Sequence, residues 1–205
     1  MLNIYGKSQT RSLRATWLAE EMNLEYEFHS VDMAAGEHHS EAYLKIHPGG
    51  KIPAISDDGI VLTETGAILN YLADKYAYEQ LIPAVATAAR AEHDRWCYFA
   101  ISELEQPLWT IGKHKFVFPK EQRVKAVIPS AEWEYQKALA LLSDGLGSKP
   151  YILGDAFSAV DILLLQTLQW GLAFSQELAQ ANLQDYFARA KERPAYQRAV
   201  AREAA

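Results

Sequence analysis

The sequence predicts two domains of different class: an α/β domain with a mixed four-stranded sheet over residues 1–79 and an all-helical bundle domain over 87–205, joined by a linker at 80–86. Three observations carry this. The hydrophobic period switches between two and 3.6 within the first 79 residues but stays helical after the linker. An Asp-Gly pair sits between two short apolar runs, Ala54-Ile55 and Ile60-Val61-Leu62. Pro83 interrupts a stretch, Ala77 to Ala86, that continues neither pattern.

Leu2-Asn3-Ile4-Tyr5 reads as a short strand. From Arg11 to Met22 the positions Ala15, Leu18, Ala19 and Met22 recur at helical spacing, with Glu20 and Glu21 outside, and predict a helix. Tyr26 and Phe28 alternate with Glu25, Glu27 and His29, the mark of a half-buried strand. After an irregular stretch through Gly36, the turn Asp57-Asp58-Gly59 gives the strongest local hairpin signal a sequence offers. A helix over about 65–77 closes the domain, with Thr65 as its N-cap and Ile68, Leu69, Leu72 and Tyr76 as its apolar stripe. Strand–helix–strand makes the first two strands parallel, and the hairpin adds antiparallel ones.

Beyond the linker the spacing predicts helices over about 87–105, from Pro119 to about 143, over 159–173 and 183–192, and again after Pro194. Pro119 suits a first turn, Pro129 kinks or splits its helix, and Ser143-Asp144-Gly145-Leu146-Gly147-Ser148 reads as a loop. Ser158 as N-cap with Asp161 three residues on resembles a capping box, and Phe157 with Ile162 occupies the hydrophobic-staple positions. This block is a folding device, so Asp161 is not taken as catalytic.

Composition excludes several classes. With 49% apolar and 22% charged residues the chain has an ordinary globular composition, and no run approaches the roughly 18 apolar residues of a membrane span. Met1 to Lys7 lacks the basic end and apolar run of a signal peptide, so cytoplasm is the expected location. A single cysteine, Cys97, permits no internal disulfide and no dithiol exchange, and is read as an inert helix-face residue. Six histidines lack zinc-like spacing, so no metal is expected. Gly50-Lys51 is not a phosphate-binding loop, because Ile52 replaces the needed hydroxyl residue. A net charge of −6 argues against nucleic acid. The acidic excess lies wholly in residues 1–80, which carry 6 Lys+Arg against 12 Asp+Glu. Within that acidic part His38, His39, Lys45, His47 and Lys51 cluster, as a solvated loop or as local attraction for an anionic ligand.

The motif that carries most is Gly50-Lys51-Ile52-Pro53-Ala54. Pro53 has no N–H for a ladder, yet it leads directly into a hairpin strand. Either it blunts an edge, or an Ile52-Pro53 bond that can be cis leaves the main-chain groups of Ile52 free to dock an extended peptide. The helix that follows the hairpin presents partnerless N–H groups to an anion, and Glu64 just ahead of it can accept from an ammonium. A small molecule with an α-amino acid end and a peptide-like middle satisfies both features, and glutathione is one.

These residues, with Leu62-Thr63-Glu64-Thr65-Gly66-Ala67-Ile68 and Gly154-Asp155-Ala156-Phe157-Ser158-Ala159-Val160-Asp161-Ile162, resemble the glutathione S-transferase family over essentially the whole chain, most nearly its bacterial serine- or cysteine-type members. The resemblance implies a thioredoxin-like first domain and a helical second domain carrying a hydrophobic acceptor pocket, with Trp109, Tyr98 and Phe116 as candidate walls. It implies Ile52 against the cysteinyl unit of glutathione, Pro53 at a cis bend, Glu64 and Thr65 at the γ-glutamyl end, and Lys51 and His38 near the glycyl carboxylate, with His39 ranked after them for that role. Glutathione is then the co-substrate, a small electrophile the partner and a homodimer the expected assembly.

A glutathione thiol has a pKa near 8.5, so about 3% is thiolate at pH 7, and making thiolate dominant takes about 2.7 kcal/mol. A helix N-terminus contributes up to ~2 kcal/mol and a hydrogen bond to a charged acceptor about 1.5–3. The site therefore needs a hydroxyl at the start of the first helix, where Ser8, Thr10 and Ser12 compete. In similar family members the active residue stands four positions before an arginine, as Thr10 stands to Arg14, so Thr10 ranks first, then Ser8, then Ser12; Tyr5 is a rival. The expected activity is transfer of the thiolate to a hydrophobic electrophile. Disulfide reduction with bound glutathione, and a binding or regulatory module without turnover, are the alternatives.

Overall fold

The computed structural model describes all 205 residues, in two compact units. The first comprises 1–84 together with 190–205, and the second 85–189. The last residues of the chain thus join the first unit, where the sequence had suggested a helical domain running to 205.

In the first unit, β1 (Leu2–Gly6), β2 (Tyr26–Ser30), β3 (Ala54–Asp57) and β4 (Ile60–Thr63) form one sheet in the order β2-β1-β3-β4. β1 and β2 are parallel across α1 (Leu13–Glu21), and the other two pairings are antiparallel. This is the expected thioredoxin-like arrangement. The hairpin turns on Asp58 (φ 49°) and Gly59 (φ 84°), the two left-handed residues that a tight right-twisted hairpin demands. Its tip is tied to α3 (Thr65–Tyr76) by a buried carboxylate, because Asp57 accepts from Tyr71, Lys75 and Tyr76. Tyr76 is therefore an exposed ring with an anchored hydroxyl, not part of the apolar stripe, which Ile68, Leu69 and Leu72 supply.

The reading of α1 as one-sided also needs correction. Every residue from Leu13 to Ala19 is buried, including Arg14 and Thr16. The cause is a helix from the far end of the chain, α9 (Pro194–Ala204), which packs along it while α3 takes another side. Trp17 meets Tyr196 edge-on at 4.9 Å, Arg193 clasps both carboxylate oxygens of Glu21 at 2.6 and 2.7 Å, and Thr16 bonds to Glu203 at 2.9 Å.

In the second unit one long helical run replaces the expected single helix. It reads α4 (Ala88–Phe99), a π-helical segment Ala100–Glu105, α5 (Gln106–Gly112) and a second π-helical segment Lys113–Val117. Pro107 does not end it, because it falls where hydrogen-bond spacing changes from the wider to the ordinary helix and its missing N–H costs little. The helix expected from Pro119 begins instead at Ile128, as α6 (Ile128–Leu146). Pro129 then sits in its first turn and kinks nothing, while Ser143 to Leu146 belong to the helix and only Gly147 and Ser148 turn away. Gly145 is needed there, since a Cβ would lie 2.2 Å from the Trp96 ring.

Helix α7 (Ala159–Ala173) starts on the expected capping box. Asp161 accepts from the Ser158 N–H and hydroxyl, from the Ile152 N–H and from the Tyr186 hydroxyl of α8 (Ala181–Lys191). Phe157 and Ile162 are buried beside it. Cys97 is buried as well; desolvation pushes its thiol far up, away from the thiolate form.

Candidate functional site

Three chain segments leave the same end of the sheet in the first unit. β1 ends at Gly6, β3 begins at Ala54 and β4 ends at Thr63, and the register pairs Tyr5 with Ala54 and Ala54 with Thr63. The loop 7–12, the segment 50–53 and the start of α3 are thereby neighbours, which brings most of the proposed glutathione residues to one place.

Ile52 precedes a cis bond to the buried Pro53 and stands outside both ladders. Its own N–H and C=O have no hydrogen-bond partner in the protein, and its side chain is half-buried. Two polar groups on an ordered, partly covered backbone normally find partners, so their vacancy is informative. The neighbouring carbonyl, that of Lys51, is taken by the Tyr43 hydroxyl at 2.7 Å.

The start of α3 is equally open. Thr65 is not the N-cap: it already has helical geometry, and Glu64 occupies the cap position with no side-chain capping bond. Glu64 holds φ 65°, ψ 112°, a conformation that a residue with a Cβ adopts at a cost of about 1–3 kcal/mol. The Thr65 oxygen accepts from the fully buried Arg14 at 2.9 Å, so its own proton is free to donate outward. Arg14 entered the sequence reading only as a register mark; its burial comes from α9 covering α1, a long-range contact with no local signature.

The hydroxyls of the first loop form a network. Thr10 donates to the Lys7 carbonyl at 2.6 Å, and its oxygen takes the Ser12 N–H at 3.2 Å and lies 2.9 Å from the Ser12 hydroxyl. Ser12 in turn accepts the Lys7 N–H and is fully buried, with no surface to offer a ligand. A Cβ on Gly6 would lie 2.2 Å from the Ser12 oxygen, so the bare glycine lets the loop close. Ser8 is half-exposed with no partner for its hydroxyl, and Tyr5 stacks on His29 at 4.8 Å.

At the turn of Gly50 (φ 58°) a Cβ would lie 2.8 Å from the His39 Nδ1 and 3.0 Å from the His38 carbonyl, so the bare glycine lets the chain pass beside the two histidines. Burial, and then His39, lowers the pKa of His38, and burial lowers that of His47. Both rings are thus neutral at neutral pH, and the unpaired positive charge belongs to exposed Lys51, since Lys45 pairs with Glu41. The buried Nδ1 of His38 has no hydrogen-bond partner.

In the second unit, Trp109 approaches Trp170 at 6.4 Å, Trp170 meets Phe174 at 5.6 Å, and Phe174 meets Phe116 at 5.9 Å. Trp109 and Phe116 thus belong to one aromatic run. Tyr98 is 72% exposed on α4 and is not among these ring contacts. Trp170 and Phe174 were missed because their positions, late in α7 and at its C-cap, look like ordinary core spacing.

Comparison with known proteins matches residues 2–74 to the glutathione S-transferase N-terminal domain and residues 106–194 to the glutathione S-transferase C-terminal domain. Glutathione S-transferase GstB of Escherichia coli is 28% identical over 207 residues, covering 98% of each chain. The disulfide-bond oxidoreductase YfcG of Escherichia coli is 30% identical over 169 residues, 79% of this chain and 76% of that one. Among solved structures, the theta class glutathione S-transferase from Xanthomonas axonopodis pv. citri, crystallised with glutathione bound, superposes with a TM-score of 0.82 at 32% identity, covering 97% of this chain and 96% of that one. Two matched domains in order, full-length relatives and the open sheet end described above lead to one conclusion: the chain belongs to the glutathione S-transferase family.

Proposed function

We propose that this protein binds glutathione at the open end of its sheet and transfers the thiolate to a small hydrophobic electrophile. The observation that carries the reading is the pair of vacant main-chain groups on Ile52 beside an uncapped α3 start. An extended γ-linked tripeptide fits that pattern. Its cysteinyl unit pairs with Ile52, its α-carboxylate takes the Thr65 proton and the first N–H groups of α3, and its ammonium meets Glu64. Lys51 attracts the glycyl carboxylate, with His38 as a neutral hydrogen-bonding neighbour.

Thr10 is the proposed activating hydroxyl. Its oxygen accepts from the Ser12 N–H and can accept from the Ser12 hydroxyl, and such donation makes its own proton a stronger donor to sulfur. Rotation of that proton from the Lys7 carbonyl to the thiolate exchanges one acceptor for a charged one. The sulfur then attacks the electrophilic carbon, the leaving group departs with the bond pair, and the thiol proton passes to solvent. Ser8, with its free hydroxyl, is the second candidate, and the buried Ser12 acts through Thr10. Trp109 and Phe116 are proposed to line the acceptor pocket, and the protein is expected to work as a homodimer in the cytoplasm.

Capture on immobilised glutathione, followed by conjugation of an aryl halide, tests the proposal. Retention and turnover support it; neither would point to a module without this chemistry. The kinship with YfcG favours a second reading, reduction of small disulfides by bound glutathione, since the only cysteine is buried. A small mixed disulfide as substrate separates the two.

A further inference from the structure

Tyr43 is a buried ring whose hydroxyl serves one peptide group. It donates to the Lys51 carbonyl at 2.7 Å. That carbonyl and the Ile52 N–H are the two ends of the same peptide plane. The Lys51–Ile52 bond is trans, and in a trans peptide C=O and N–H point in opposite directions. Fixing the carbonyl on Tyr43 therefore aims the Ile52 N–H away from Tyr43. No hydrogen bond to Ile52 helps, because its N–H and C=O are vacant.

Tyr43 is itself held firmly. It lies in the short helix α2 (Glu41–Leu44), whose N-cap Ser40 accepts the Tyr43 N–H at 3.2 Å. Its ring packs edge-on to Tyr5 at 6.4 Å. Burial, then the nearby Glu37 and Tyr5, pushes the phenol up to about 12, so it remains a donor throughout the working range of the thiol chemistry.

We infer that Tyr43 is a positioning residue for glutathione: through the Lys51 carbonyl it sets the plane of the Lys51–Ile52 peptide, so that the Ile52 N–H meets the cysteinyl carbonyl of the tripeptide already aligned. The inference rests on the glutathione reading above and deepens it. Without the phenol the peptide plane is free to rock, and the ligand must order it on binding. The loss falls on glutathione capture, not on the thiolate, which Thr10 serves from another loop.

The test is steady-state kinetics of Tyr43→Phe with glutathione and an aryl halide. The expected result is a rise in KM for glutathione of about five- to tenfold, the worth of one hydrogen bond. The value of kcat at saturating glutathione, its pH profile and KM for the aryl halide stay as in wild type. Placing p-aminophenylalanine at 43 restores KM, whereas p-methylphenylalanine, similar in size but without a donor, does not; this pair keeps the test open if Phe alone folds poorly. A KM for glutathione within twofold of wild type in Tyr43→Phe overturns the inference alone. So does a fall in kcat together with a lowered Tm that the amino analogue fails to repair. Wild-type protein that binds no glutathione overturns both this inference and the reading beneath it.

Discussion

Two helix starts in this chain are built to opposite rules. At α7 the cap is closed by side chains: Asp161 takes four hydrogen bonds, lies wholly inside the second unit, and completes a capping box with Ser158. At α3 the cap residue Glu64 is exposed, conformationally strained and makes no side-chain cap, and the Thr65 proton is left over. A helix end normally satisfies its orphan N–H groups within the protein or in water. The start of α7 uses its polar groups to fold, whereas the start of α3 leaves them open, as the proposed glutathione site requires.

The largest effect expected from this contrast is on stability. Asp161→Ala leaves the Ile152 and Ser158 N–H groups and the Tyr186 hydroxyl without their acceptor in a buried place, at about 1–3 kcal/mol each. Urea denaturation should show a loss of at least about 3 kcal/mol, or no soluble protein. A loss below about 1 kcal/mol would mean that the box does not organise the fold.

Glu203 stands between the two extremes, a buried carboxyl with one partner, Thr16. Thr16 has one proton and three oxygens near it: Glu203 at 2.9 Å, Leu13 at 3.2 Å and Ser12 at 3.4 Å. A protonated Glu203 supplies the missing donor. Burial accordingly raises its pKa from 4.5 to about 8, opposed by the Thr16 bond. The folded protein then keeps a proton that the unfolded chain loses at lower pH. The contribution of Glu203 to stability is greatest below about 4.5, falls as pH rises toward about 8, and levels off above it. The decline is on the order of 5 kcal/mol, and Glu203→Gln should flatten it. Denaturation curves at pH 5 and pH 9 measure this; equal slopes in wild type and variant would contradict it.

Effects at the open end should fall on chemistry and leave the fold alone. Thr10→Ala should lower kcat about 10- to 100-fold, as expected for a lost hydrogen bond to a charged acceptor, with KM for glutathione within about twofold. Loss in Ser8→Ala or Tyr5→Phe with Thr10→Ala unaffected would move the role. The smallest change is expected for Glu64→Ala. Folding stability should shift by less than about 0.5 kcal/mol, because the exposed side chain caps nothing, while glutathione affinity falls about five- to tenfold. A stability loss without an affinity loss would erase the distinction between the two helix starts.

What the sequence disclosed follows the same division. The hairpin was legible because Asp58-Gly59 is the chemistry that its two positive φ angles require, and the α7 box because its partners lie within four residues. The bend at Ile52-Pro53 ahead of the hairpin was legible in the same local way. Features set by distant chain were not legible. Burial of Arg14 and Thr16 depends on α9, nearly two hundred residues away in sequence, and Glu64 in place of Thr65 as the cap depends on a φ value that composition does not encode. The π-helical segments around α5 keep Pro107 inside a helix where propensity alone ends one. Tyr43 reads as a plain core aromatic until its hydroxyl is found on the Lys51 carbonyl.

The most direct test of the claim that α3 and Ile52 hold a place for a tripeptide is an amide NMR titration with glutathione. The account predicts that the Ile52, Thr65 and Gly66 amide resonances shift and saturate together, while those of Ile152 and Ser158 stay fixed. Saturable shifts elsewhere with these three unmoved, or no shifts at all, would contradict it.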